Sequence, residues 1–258
     1  HDLDRLEDDI ARAVQALLHL QRDDGHWVFE LEADATIPSE YVLLRHYLGE
    51  PDAPELERKI GAYLRRIQGE HGGWPLFHGG AFDISASVKA YFCLKMIGDS
   101  PDAPHMARAR GAILAHGGAE RANVFTRILL AQFGQLSWAH VPTMPVEIIL
   151  LPRWFPTHLS RMSYWARTVI VPLLVLAALR KRARNPRGVG IHELFATASR
   201  PAPRVAAHVH RGWALFFNGL DRVLKAGEPL WPRKTRQRAI ERCVRFVTER
   251  LNGEDGLG

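Results

Sequence analysis

The sequence predicts an all-α protein built from helical hairpins that repeat along the chain. Three observations carry this. Apolar residues recur at three- and four-residue spacing almost from end to end, and no alternating strand pattern of useful length intervenes. The helical segments end on turns that contain Gly. One of these turns occurs twice: Gln21, three residues, Gly25, one residue, Trp27, and again Gln68, Gly72, Trp74, with the two glutamines 47 residues apart. A fixed period in this range is the mark of a repeat architecture. Each residue type has a use in such a turn. The Gly suits a helix end that needs positive φ. The Gln offers a donor and an acceptor to nearby backbone. The Trp brings a large apolar face and one N–H that wants a partner. Together they read as a clasp between one helix and the next.

The elements follow in order. Leu3–Leu20 is amphipathic, with Leu3, Leu6, Ile10, Ala13, Val14 and Leu17 on one face. After the first clasp, residues 28–37 form a connector, and Thr36-Ile37-Pro38-Ser39 leads into a helix over 40–48 that ends at Gly49. A turn at 49–54 precedes a helix to Ile67 and the second clasp. Asp83 is placed to cap the helix that runs to Gly98. A turn at 100–104, a helix over 105–115 and a helix over 125–133 ending at Gly134 continue the rhythm. Four prolines between Pro142 and Pro156 forbid one long helix there and leave room for a short one at 145–151. Leu159–Arg180 is the most apolar stretch; its uncharged part, Val169–Leu179, is too short to span a bilayer and reads as a buried core helix. Residues 181–210 are basic and rich in Pro, Gly and His: a surface loop with a short helix near 191–197. From Phe246 a further clasp begins, with Asn252 and Gly258 in place of Gln and Trp.

Composition narrows the function. The 258 residues suit one large domain or two small ones, and 47% are apolar, enough for a substantial core. Cys93 and Cys243 each sit among apolar helical residues and read as reduced core thiols, which points to the cytoplasm. The charged start, His1–Glu7, is no signal peptide. The histidines have no metal spacing, and neither a phosphate-cradling Gly loop nor a Gly-x-Ser-x-Gly elbow is present. No metal and no cofactor is expected. Charge is uneven: residues 180–238 hold 14 Lys or Arg against three acidic residues. Without a nucleic-acid motif, and with apolar residues interleaved, that block favours lipid over nucleic acid. Within it, Trp213, Phe216, Phe217, Leu220, Val223 and Leu224 fall on one face of a helix over 212–225, and Asn218, Asp221, Arg222 and Lys225 on the other. This pattern suits insertion into one leaflet. A core-facing helix has the same periodicity.

The clasps resemble the QW repeats of triterpene cyclases. With Glu40–Leu44, Val124–Arg127 and Trp165–Arg167 in the same order, the chain resembles the N-terminal part of bacterial squalene–hopene cyclases over nearly its whole length. The resemblance implies an α/α toroid, the terpene cyclase β-type domain. It implies that residues 1–27 pack with a C-terminal domain beyond this stretch, that 28–240 form the toroid, with 212–225 facing the membrane, and that 241–258 begin the next repeat. It implies a peripheral protein on the cytoplasmic side of the membrane, with a homodimer among its partners, and cyclisation of squalene or a similar polyprenoid to hopene and the related alcohol in hopanoid biosynthesis. The family's catalytic acid lies in an Asp-x-Asp-Asp-Thr run, and these 258 residues contain none. The piece alone is therefore expected to be inactive.

Cyclising a polyene needs an acid, an apolar cavity and aromatic faces that stabilise cations. The resemblance makes Phe125 and Trp165 cavity aromatics, with Met162 and Ile170 beside them, whereas Tyr41 and Tyr91 read as core. It makes Glu40 part of the pocket that takes the final proton, with an acidic residue at the position of Lys89 and an Arg at that of Asn123. Both of the latter differ here, as does an aromatic near Leu129. A Lys89–Glu40 pair is the expected replacement. Two rival readings are a class II diterpene cyclase acting on a prenyl diphosphate, which needs a basic cavity, and a non-enzymatic repeat domain that binds lipid or a protein.

Overall fold

The structure, a computed structural model, describes residues 2–27, 34–155, 158–196, 211–228 and 231–251, and leaves the side chains of Asp2, Arg211, Trp213, Ala214 and Phe216 outside that description. The part of the further clasp from Asn252 to Gly258, the residues 28–33 and the basic loop over 197–210 also lie outside it. Among the described residues every extended element is helical. The α-helices are α1 (Asp2–Leu20), α2 (Thr36–Leu48), α3 (Pro54–Arg66), α4 (Ile84–Met96), α5 (Pro104–Ala115), α6 (Val124–Gln132), α7 (Tyr164–Leu179), α8 (Arg211–Gly227) and α9 (Arg233–Thr248). The chain belongs to the all-α class that the sequence predicts, and its succession of helices is consistent with an α/α toroid.

Two units form. The first holds α1 and its clasp, and the second runs from Asp34 onward. In the first unit Leu3, Leu6, Ile10, Val14 and Leu17 are all exposed along α1.

The second unit is organised on α4. Its residues from Ser85 to Leu94 are buried on every side, because α2, α3 and α5 pack around it. Asp83 caps it, accepting from Ala86 N. Val42, Leu43, Leu64, Trp74, Tyr91, Phe92, Met106 and Ile113 fill the core around it. A second core lies between α7, α9 and the 3-10 turn Val146–Leu150, around Val171, Leu174, Ala239 and Cys243. The short helix expected at 145–151 is that 3-10 turn.

α2 starts at Thr36, four residues before the sequence reading placed it. Pro38 falls in the first turn, where its missing N–H costs no helical bond. Asp34 accepts from both the N–H and the hydroxyl of Thr36. The apolar stretch from Leu159 divides: a 3-10 turn covers Leu159–Arg161, then Ser163 caps α7 by accepting from Ala166 N at 3.2 Å. Only Val171 and Leu174 of α7 are buried, so the expectation of a fully buried helix does not hold. One side of α7 meets α9, and the other borders a cavity.

The segment 180–191 is a strap across the helix ends. The last carbonyls of a helix lack intrahelical donors. Here Arg184 N donates to Tyr47 O and Asn185 N to His46 O at the end of α2, both at 3.0 Å. Ala183 N donates to Gln132 O at the end of α6, and Arg187 Nη1 to Met96 O at the end of α4, both at 2.9 Å. Arg187 also meets Glu57 at 2.9 Å, and Glu57 bonds His46 at 2.9 Å, both of these last two side chains being buried.

Candidate functional site: an apolar cavity with one ion pair

The two clasps fold alike. Gln21 Nε2 donates to Gly25 O and Gln68 Nε2 to Gly72 O, each at 2.6 Å. Trp27 Nε1 donates to Leu17 O at 2.7 Å and Trp74 Nε1 to Leu64 O at 2.8 Å. Gly25 and Gly72 hold φ of 90° and 87°, a region that L side chains avoid. Each tryptophan thus staples the start of the next segment to the last turn of the preceding helix. The surroundings differ. Trp74 is fully buried, and Gln68 also bonds His105 O and Arg108 on α5, whereas Trp27 is 43% exposed.

α4 packs along α2, which has two apolar faces. Val42 and Leu43 enter the core, while Ile37, Tyr41 and Leu44 point away from it. With Tyr47 of α2, Leu129, Gln132 and Phe133 of α6 and its end, and Leu176 of α7, they line a cavity of about 480 Å³. Its surface is almost wholly apolar. Among the described residues the polar members are Glu40, Gln132 and the two tyrosine hydroxyls, and the lining holds no Lys or Arg. Tyr41 therefore belongs to the cavity and not to the core. Tyr91 is core: it is buried on α4, with its hydroxyl on Glu193 at 2.9 Å.

Lys89 projects from the buried α4 and places its ammonium 2.7 Å from Glu40 Oε1. Only the carboxylate side of the pair reaches the cavity, since Glu40 is half-exposed and Lys89 is buried. A lone ammonium there would be a costly buried charge. Paired, the two residues form one polar spot of zero net charge in an apolar wall.

The other expected site residues are placed as follows. Asn123 caps α6, accepting from Thr126 N at 2.9 Å, and its own N–H meets Ser85; it is outside the cavity lining. Phe125 and Trp165 are exposed at the first turns of α6 and α7, outside the lining of this cavity. Helical spacing aligns Phe125 with Leu129 and Gln132, and Trp165 with Leu176, so each continues a cavity-lining face by one or more turns. Met162 and Ile170 pack on the second core. Sequence reasoning missed Tyr41, Leu44, Tyr47, Gln132, Phe133 and Leu176. The available signal was that α2 and α6 are apolar on more than one face, more than a core contact needs. A second hollow, about 530 Å³, lies beside Glu57, Arg65, Lys95 and Arg187, but carboxylates already neutralise its cations.

α8 stands with its polar side inward. Asp221 accepts from Thr143 N at 2.7 Å, and Lys225 reaches Ala139 O at 2.8 Å. The outward side presents Leu215, Phe217, Leu220 and Val223, from 41% to 69% exposed. Leu224 is half-buried, while Trp213 and Phe216 lie outside the described side chains. No described helix is long and apolar enough to cross a membrane.

An all-α repeat domain thus turns three helix faces toward one apolar hollow. Residues 10–258 match the model of the squalene–hopene cyclase N-terminal domain, and the chain belongs to that family. It is 64% identical over 255 residues to a squalene–hopene cyclase of Zymomonas mobilis and 61% identical to one of Bradyrhizobium diazoefficiens. It is 32% identical over 245 residues to a dammaradiene synthase of Dryopteris crassirhizoma. These matches cover 99%, 98% and 95% of the chain but only 38%, 39% and 36% of the relatives, so the chain spans less than two fifths of their length.

Proposed function

We propose that these residues are the N-terminal part of an enzyme that folds squalene and cyclises it to hopene and the related alcohol by a proton-started carbocation cascade. The observation that carries this is the cavity: about 480 Å³, apolar, lined by Tyr41, Tyr47 and Phe133, with a single ion pair at its edge. Such a wall excludes water, and aromatic faces stabilise passing cations by about 0.5–2 kcal/mol per contact. Phe125 and Trp165 extend that wall toward the rest of the substrate. Glu40, paired with Lys89, takes the last proton or orients the water that captures the final cation; Asn123 acts on this pocket only from its rim. The starting acid is supplied from outside these residues, because they contain no Asp-x-Asp-Asp run. A prenyl diphosphate fits less well, since among the described residues no Lys or Arg lines the cavity to receive its charge.

The same reading gives α8 a role. Its outward apolar side chains enter one leaflet on the cytoplasmic face, which lets a membrane-dissolved substrate reach the cavity without crossing water. The exposed apolar residues of α1 pack on the part of the enzyme outside this stretch. The test is to incubate the longest form that the gene encodes, in detergent, with squalene and to analyse the lipids by gas chromatography–mass spectrometry, alongside the 258 residues alone. Pentacyclic product from the long form only is expected. No squalene turnover by the long form would reject the reading.

A further inference from the structure

The strap over 180–191 meets the cavity through its first five residues. One lining residue from each wall helix has its carbonyl oxygen bonded within 180–184. Arg180 N donates to Leu176 O of α7 at 2.9 Å, Ala183 N to Gln132 O of α6 at 2.9 Å and Arg184 N to Tyr47 O of α2 at 3.0 Å. Leu176, Gln132 and Tyr47 all line the hollow. Lys181 O also accepts from the Tyr47 hydroxyl, at 3.4 Å. Along α2 the cavity row runs from Ile37 to Tyr47, a rise of about 15 Å. Tyr47 closes that row, with its ring 6.3 Å from the ring of Phe133. Phe133 in turn stands edge-on to the core residue Phe92 at 5.0 Å. The inner end of the cavity is therefore aromatic and is held from outside by strap backbone.

Two corners set where that stretch lies. Arg180 and Asn185 hold φ of 47° and 41°, and among the described residues they are the only non-glycine positions with positive φ. Left-handed backbone is unfavourable for a residue with a Cβ and persists only where the surroundings impose it. The surroundings that do so are visible. Arg180 is fixed to Glu228 at 2.8 Å. Asn185 donates its N–H to His46 O and its Nδ2 to Val189 O, both at 3.0 Å. Two residues further on, Arg187 is locked to Glu57 and to Met96 O, both at 2.9 Å.

We propose that Asn185 is a positioning residue for the cyclisation. Its left-handed corner keeps 180–184 in register on the ends of α2, α6 and α7, and so fixes the inner wall against which the hydrocarbon folds. This rests on the cyclase reading above and assigns the fidelity of the cascade to a residue outside the cavity lining. A cation cascade closes every ring only if the chain is held in one fold, and a misplacement of about 1 Å can cost about 100-fold in rate. A slack wall lets the cation stop early. A C–H bond beside the cationic carbon then breaks, its electron pair becomes an alkene, and the proton passes to water. The product has fewer rings.

The experiment compares Asn185→Val with Asn185→Gly in the longest form that the gene encodes. Both remove the side-chain bond to Val189 O, but glycine takes positive φ freely and a β-branched residue resists it. Two readouts are taken: hydrogen exchange of the strap amides by mass spectrometry, and the products from squalene by gas chromatography–mass spectrometry. In Asn185→Val the amides of Ala183 and Arg184 should exchange at least about fivefold faster than in the parent, and incompletely cyclised products should rise by a similar factor. In Asn185→Gly both should stay within about twofold of the parent. Asn185→Ala should fall between the two, and serves where Asn185→Val does not fold. Tyr47→Ala leaves the backbone bond in place, so it should give the same shortened products with the strap amides still protected. Amides as slow as the parent's in Asn185→Val, faster amides with unchanged products, or equal effects of Val and Gly would each overturn the positioning role. Parent products only from Tyr47→Ala would overturn the inner wall as the guide. No squalene turnover by the parent overturns the cyclase reading and this role with it, whereas turnover with unchanged products overturns this role alone.

Discussion

Trp74→Phe isolates what one clasp contributes. Trp74 is fully buried, and its Nε1–H is the donor to Leu64 O at 2.8 Å. Leu64 lies in the last turn of α3, where carbonyls have no helical partner. Phenylalanine removes the donor and leaves that carbonyl dry and unbonded, at about 1–3 kcal/mol. The smaller ring also leaves a gap, worth roughly 1 kcal/mol more. A loss of about 2–4 kcal/mol lowers the melting temperature of a chain this size by roughly 5–15 °C. Trp27→Phe breaks the corresponding bond to Leu17 O, but Trp27 is 43% exposed and water can take the place of the indole N–H. Its cost should stay below about 1 kcal/mol, or roughly 3 °C. Thermal unfolding followed by far-ultraviolet circular dichroism reads both. Equal shifts, or a larger one for Trp27→Phe, would refute the argument that burial decides the value of the shared bond.

Three further outcomes follow from the geometry. Gly72→Ala should destabilise more than Gly25→Ala in urea unfolding: both positions have positive φ, costing about 1–2 kcal/mol, but a Cβ at Gly72 comes 3.0 Å from Arg108 O and one at Gly25 meets nothing nearer than 3.9 Å. Arg187→Ala strips the buried Glu57 of its cation and should cost about 3 kcal/mol or more, and Glu57→Gln added to it should recover part of that loss. Asp99 is pushed up by burial, but hydrogen bonds from Arg65 and His105 outweigh this and hold it below the usual aspartate value. Glu193 is likewise held low by Lys95 and Tyr91 against burial. A lowered carboxylate pKa stabilises the fold above the ordinary value, near pH 4, and that contribution fades as pH falls through the folded value. Asp99→Asn should therefore flatten the acid limb of a stability–pH curve measured below pH 5.

The clasps were legible in the sequence because their chemistry is local. Gln, Gly and Trp fall within seven residues and their bonds reach at most ten residues back within the repeat, so spacing announces the turn. Helix α2 was harder at both levels. Pro38 disguised its start, and its doubly apolar surface concealed which face met the core, so Tyr41 read as interior. Periodicity draws a face but does not say where the face points. The same limit applied to α8, whose stripe fits core or lipid by spacing; Thr143 and Ala139 hold its polar side and leave Leu215, Phe217, Leu220 and Val223 exposed. The cavity lining was least legible, since Tyr47, Gln132, Phe133 and Leu176 are brought together only by packing. The Lys89–Glu40 contact could be anticipated, because a buried lysine needs a carboxylate and Glu40 was the one marked by the resemblance.

The strap over 180–191 bears on how this chain is made. Tandem repeats are often treated as units that fold one after another, each supported by its neighbour. Here the ends of α2, α4 and α6 stay unfinished until residues 183–187 arrive, after all three helices and α7 have been produced. At ribosomal speed the end of α2 waits roughly ten seconds. Contacts so distant in sequence slow folding and make it cooperative. A ribosome-bound chain halted before Arg180 should hold helices but resist proteases poorly, and the gain in resistance should come in one step when the strap emerges.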